Sequence, residues 1–148
     1  MLVIAGPDLI GYGRDVERMI REAGLQDSVV LTGELRGDRK DALLANGEVF
    51  VLPSYSENFG IAIAEALAWG RPVIASTATP WSEVADCRAG WWVEPETVAM
   101  AGALGEALAL PGEDLSMMGR AGRALVATRY SWGAAAEKIT EAYEKLLP

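Results

Sequence analysis

The chain has 148 residues, 51% hydrophobic and 23% charged, with thirteen basic against twenty-one acidic side chains for a net charge of −8. This composition suits a globular protein and argues against a disordered one; the acidic balance disfavours a nucleic-acid partner. One cysteine, Cys87, and no histidine exclude an internal disulfide, a Cys/His metal site and a histidine general base.

Leu2–Ala5 reads as a short buried strand closed by Gly6-Pro7-Asp8, without the basic leader of a signal peptide. Tyr12–Ala23 carries Val16, Met19 and Ile20 at helical spacing and ends at Gly24. A strand over Val29–Leu31, closed by Thr32-Gly33, precedes a helix over Asp38–Ala45, which Asn46-Gly47 terminates. Glu48–Pro53 is a strand, Phe59–Trp69 a helix stopped by Gly70, and Pro72–Ala75 a strand. A short helix is expected over Thr79–Ala85 with Pro80 in its first turn, then a last strand over Trp91–Val93. Helices alone follow, over Thr97–Leu108, Asp114–Thr128 and Ser131–Leu147, with Asp114 and Ser131 as expected N-caps. The last of them sets Ala135, Ile139, Tyr143 and Leu146 on an apolar stripe that favours self-association.

Strands alternating with helices imply βαβ units and a mostly parallel sheet. No repeat or linker interrupts the pattern, so one domain over 1–148 is expected, with a helical section over 96–148. No apolar run reaches the roughly 20 residues of a membrane span. A cytoplasmic location is expected, with at most peripheral membrane association.

The segment Glu57-Asn58-Phe59-Gly60-Ile61-Ala62-Ile63-Ala64-Glu65 follows the apolar run Val49–Leu52. A strand, a polar loop and a helix in this order form the ligand-binding crevice of open α/β sheets. The amides of Asn58, Phe59, Gly60 and Ile61 fall at the new helix N-terminus, where unpaired donors and the helix dipole attract anions. Gly60 lets a ligand approach the backbone. Glu65 is the one ionisable residue in Phe59–Trp69, and an isolated carboxylate there is costly without a hydrogen-bonding partner. Phosphate at the dipole with a diol on each of Glu57 and Glu65 describes a nucleotide-diphosphate sugar. Two other readings carry less: paired glycosidase carboxylates, whose architecture differs, and the incomplete glycine fingerprint Gly11-Tyr12-Gly13, which reads as a tight turn.

Ser54–Gly60 continued through Glu65–Ser76 resembles the E-x7-E signature of retaining GT-B glycosyltransferases, the group 1 or GT4-like family. Leu2–Pro7, Val29–Gly33 and Tyr130-Ser131-Trp132 also resemble that family's carboxyl-terminal donor-binding domain. The resemblance implies a Rossmann-like, doubly wound parallel α/β fold. It makes Glu57 the catalytic residue near the donor sugar, places Asn58, Phe59, Gly60 and Ile61 at sugar and diphosphate, and gives Glu65 the ribose hydroxyls. Gly33, Glu34, Leu35 and Arg36 would line the base, with no metal or other cofactor. Thr77–Glu83 matches the loop that faces the diphosphate, with Thr79 and Pro80 where the family often has paired glycines. Trp81, Trp91 and Trp92 are expected to pack the late strand, Trp81 with a further option of lining the sugar site.

The family's first βα unit, with the Arg and Lys that clamp the diphosphate, has no counterpart here, nor has its amino-terminal acceptor domain. The missing strand is central in the family's sheet, so its neighbours should lack a hydrogen-bonding partner. The expectation is therefore a donor domain inactive alone, completed by another chain, a homo-oligomer or a rearranged strand. The alternatives are a sugar-nucleotide epimerase-like domain and a non-catalytic nucleotide-binding or assembly module.

Overall fold

A computed structural model describes residues 1–146; the expected helix end at Leu147 lies outside them. The order of elements is β1 (Leu2–Ala5), α1 (Gly13–Glu22), β2 (Val29–Gly33), α2 (Asp38–Asn46), β3 (Phe50–Leu52), α3 (Ile61–Ala68), β4 (Val73–Ser76), α4 (Glu83–Asp86), β5 (Gly90–Val93), α5 (Thr97–Ala109), α6 (Gly112–Arg129) and α7 (Trp132–Glu144). The α/β alternation and the parallel pairing are as expected. Contacts cluster into two compact units, Met1–Leu43 and Leu44 onward, where one domain was expected.

In the amino-terminal unit β1 pairs with β2 in parallel, from Leu2 opposite Val29 to Ala5 opposite Gly33, with a register irregularity after Ile4. No residue of 1–43 is buried, and Leu2, Ile4, Val30 and Leu31 are exposed apolar strand residues.

The second unit contrasts with this. Its sheet has the order β3-β4-β5, all parallel. Every residue of the central strand β4 is buried, and its side chains alternate between faces as the pleat dictates. Val73 and Ala75 join a core with Ile63, Ala66 and Leu67 of α3, Val84 of α4 and Leu125 of α6. Ile74 packs on the other face with Ala103 and Ala107 of α5. Helices thus cover both faces, as a parallel sheet requires. Between α3 and α6 the approach is close: a Cβ on Gly119 would stand 2.0 Å from the Gly70 carbonyl oxygen, so no side chain fits there.

Three local expectations are corrected. The helix expected over Thr79–Ala85 forms later, over Glu83–Asp86, with Cys87 as its exposed C-cap; Thr79 and Trp81 are instead drawn into buried positions ahead of it. α6 is not capped by Asp114 but starts at Gly112 after Pro111. This puts Glu113 and Asp114 in the first turn, where the helix dipole favours acids. α3 starts at Ile61, after Phe59, because Gly60 takes a left-handed φ of 76°. Ser131 caps α7 as expected, accepting from the Ala134 N–H at 3.2 Å. The apolar positions of α7, Ile139, Tyr143 and Leu146, are exposed, as is Trp132. Among the described residues no helix is long and apolar enough to cross a membrane.

Candidate functional site

β3 ends at Leu52, and the chain crosses from Pro53 to Gly60 before α3 begins. Helical bonding claims the N–H groups from Ile63 onward, the Ile63 N–H reaching the Gly60 carbonyl at 2.9 Å. Among the described residues the N–H groups of Asn58, Phe59, Gly60, Ile61 and Ala62 find no acceptor. Five backbone donors therefore gather at the positive end of a helix, just beyond the carboxyl end of a buried parallel sheet. Glu57 borders this run and is half-buried, while Asn58, Phe59 and Ile61 are exposed.

Gly60 has a different role from the expected one. It is buried, and a Cβ there would meet Ile63 Cδ1 at 3.2 Å and both Glu57 Cγ and Trp81 Nε1 at 3.3 Å. Protein side chains, not an open approach, fill that side of the backbone. The glycine is required both for its positive φ and for room.

Glu65 sits on α3 between Ala64 and Ala66, half-buried, and it is not without a partner inside the protein.

The loop is held by groups from the neighbouring strand ends. The Ser76 hydroxyl donates to the Ser54 carbonyl, and the Trp81 indole N–H donates to the Phe59 carbonyl. Thr79 is buried and donates to the Ser76 carbonyl at 2.7 Å, while the Trp92 indole donates to the Thr79 carbonyl at 3.2 Å. Trp81 is fully buried and does not line an open site; it packs the core, as do Trp91 and Trp92 on opposite faces of β5. The rings of Phe59, Trp81 and Tyr130 form a closed triangle with centroids 5.0 to 5.4 Å apart. Glu83 accepts from the Tyr130 hydroxyl at 2.6 Å and also from Arg129.

The sequence reading attached Tyr130 and Glu83 only to flanking matches. Their separation of 47 residues puts their pairing beyond any periodicity. A shallow depression of about 470 Å³ lies beside them, lined by Glu83, Arg129, Tyr130 and Lys138 among others, and by neither Glu57 nor Glu65.

Gly33, Glu34, Leu35 and Arg36 belong to the amino-terminal unit, at and after the end of β2. Gly33 has φ 68°. Arg36 bonds the Glu34 carboxylate at 2.7 Å, and that hydrogen bond, with the charge behind it, raises the guanidinium pKa further above its ordinary value. Among the described residues no group of three metal-ligating side chains gathers.

The family model described as glycosyl transferases group 1 matches residues 1–109. A mannosyltransferase of Mycolicibacterium hassiacum, named MMP alpha-(1->4)-mannosyltransferase, is 34% identical over 88% of this chain and 32% of its own length. Among solved structures, sucrose-phosphate synthase from Thermosynechococcus elongatus superposes with a TM-score of 0.82 at 29% identity, over 98% of this chain and 38% of that one. Anabaena HepE, solved with UDP-glucose, has the same fold at a TM-score of 0.81 and 22% identity, covering 97% of this chain and 40% of its own. The chain thus spans about a third of the length of the curated relatives it matches.

Proposed function

This chain belongs to the group 1 glycosyltransferases, and we propose that it is the donor-binding part of one that transfers a sugar from a nucleotide diphosphate to an acceptor hydroxyl with retained anomeric configuration. The observation that carries the reading is the run of five unclaimed N–H groups, Asn58 to Ala62, bordered by the half-buried Glu57 at the start of α3. As the bond between sugar and diphosphate breaks and the acceptor oxygen takes its place, negative charge grows on the leaving diphosphate. Fixed donors at a helix N-terminus meet that charge without reorganising. They also act locally, so a net charge of −8 is no obstacle to binding an anion.

In this reading Glu57 faces the sugar, the Asn58–Ile61 amides take sugar and diphosphate, and Glu65 takes the ribose hydroxyls. For Gly33, Glu34, Leu35 and Arg36 the base-lining role is carried by the family resemblance. The relatives support the substrate class: HepE was solved with UDP-glucose, and the M. hassiacum protein is named a mannosyltransferase. Among the described residues β1 pairs only with β2 and β3 only with β4.

Calorimetric titration of the chain with UDP, GDP, UDP-glucose and GDP-mannose tests the proposal. At least one nucleotide sugar should bind, and Glu65→Ala should weaken it about tenfold, the worth of a hydrogen-bonded diol. A wild-type chain that takes none of the four, or a variant that binds as well as wild type, overturns it.

A further inference from the structure

We propose that Trp81 and Tyr130 are positioning residues for the Glu57–Gly60 loop, and that they act selectively on recognition of the donor's sugar. The inference rests on the donor-site reading above and adds to it two residues that touch no ligand.

The loop needs external support. Among the described residues no backbone N–H from Ser54 to Ala62 is bonded within the chain. Its hydrogen-bonded attachments outside itself and α3 are the Ser76 hydroxyl at the Ser54 carbonyl and the Trp81 indole at the Phe59 carbonyl. The first lies next to the strand. The second lies at Phe59, between Asn58 and Gly60, where the unclaimed donors begin. A buried indole in a packed core has one place to sit, so its N–H is a fixed point for that carbonyl.

Trp81 is itself located by Tyr130. Their ring centroids are 5.0 Å apart, and each ring also packs on Phe59, at 5.3 and 5.4 Å. Tyr130 is anchored in turn through its hydroxyl on Glu83. Glu57 lies two residues before the Phe59 carbonyl, and its Cγ and Trp81 Nε1 each stand 3.3 Å from the position a Cβ on Gly60 would take. Once the indole N–H is removed, the Phe59 carbonyl loses the one side-chain donor it has among the described residues.

Glu65 does not depend on this arrangement. It stands in the second turn of α3, whose backbone is held by its own helical bonds and whose inner face packs on α6. Loosening the loop therefore moves Glu57 and Asn58 while leaving Glu65 in place. The sugar contacts should weaken most, the diphosphate contacts of the Asn58–Ile61 amides less, and the ribose contact of Glu65 not at all. A residue that merely stabilised the fold would weaken all of them together.

The test measures the ratio of affinities for nucleotide sugar over free nucleotide, UDP-glucose against UDP and GDP-mannose against GDP, in the full 148-residue chain by calorimetry. Trp81→Phe, which keeps an aromatic ring and loses the N–H, should lower that ratio about tenfold, while affinity for the free nucleotide, which the loop meets only through its diphosphate amides, falls by clearly less than affinity for the sugar form. Tyr130→Phe removes one hydroxyl and keeps the ring stack; it should lower the ratio in the same direction by about threefold, and it carries the decision alone if Trp81→Phe fails to fold. A wild-type preference for the sugar form that both variants retain overturns this inference and leaves the donor reading standing. Equal loss for both ligand forms also overturns it, since that marks a purely structural role. A wild-type chain with no preference for the sugar form overturns the sugar-recognition reading and this inference together.

Discussion

The two units of this chain are built from the same alternation of parallel strands and helices, yet only one has an interior. In residues 1–43 nothing is buried, and the apolar side chains of β1 and β2 stand largely in solvent. From Leu44 onward two buried clusters flank a strand that is inaccessible along its whole length. Parallel pairing and helix formation are thus written into the first unit without the burial that normally stabilises them. Strand pattern and strand stability are separate properties, and the second depends on what covers the faces.

That contrast is easiest to break at close contacts. Gly119→Ala should destabilise the chain by about 3 kcal/mol or more in urea unfolding, because its methyl would overlap the Gly70 carbonyl backbone. A loss below about 1 kcal/mol would show that α3 and α6 separate easily. Side-chain truncation is the next largest effect. Ile74→Ala, in the buried β4, should cost about 3 kcal/mol, and Val30→Ala, 43% exposed in β2, below about 1 kcal/mol. Equal costs would mean that β2 is covered in solution. Hydrogen exchange sharpens the point without mutation: amides of β4 should exchange at least about a hundredfold more slowly than those of β1 and β2. A small effect is expected at α7 as well, where Ser131→Ala should cost about 1 kcal/mol through loss of the cap on the Ala134 N–H.

The sequence was most legible where local signals suffice. β1 is bounded as expected because Gly6-Pro7 closes an apolar tetrapeptide. Ser131 caps α7 as expected because capping is a contact three residues long. Misreadings came where a distant contact competes. Pro80 marks a helix start in isolation, but Trp81 beside it is committed to the core and to the Phe59 carbonyl, so the helix is delayed to Glu83. Asp114 resembles a cap, but Pro111 already sets the turn three residues earlier. At the candidate site the spacing of Glu57 and Glu65 was readable directly. The buried seat of Gly60, the Trp81 indole bond and the Glu83–Tyr130 pair were not, since each joins segments brought together only by folding.

Cys87 gives the protein a convenience of its own. It is the chain's single sulfhydryl, solvent-accessible at the foot of α4, four positions beyond the carboxylate that anchors Tyr130. A maleimide dye attached there labels one defined spot in an otherwise native chain, close in sequence to the Tyr130 anchor, and no competing thiol has to be engineered away.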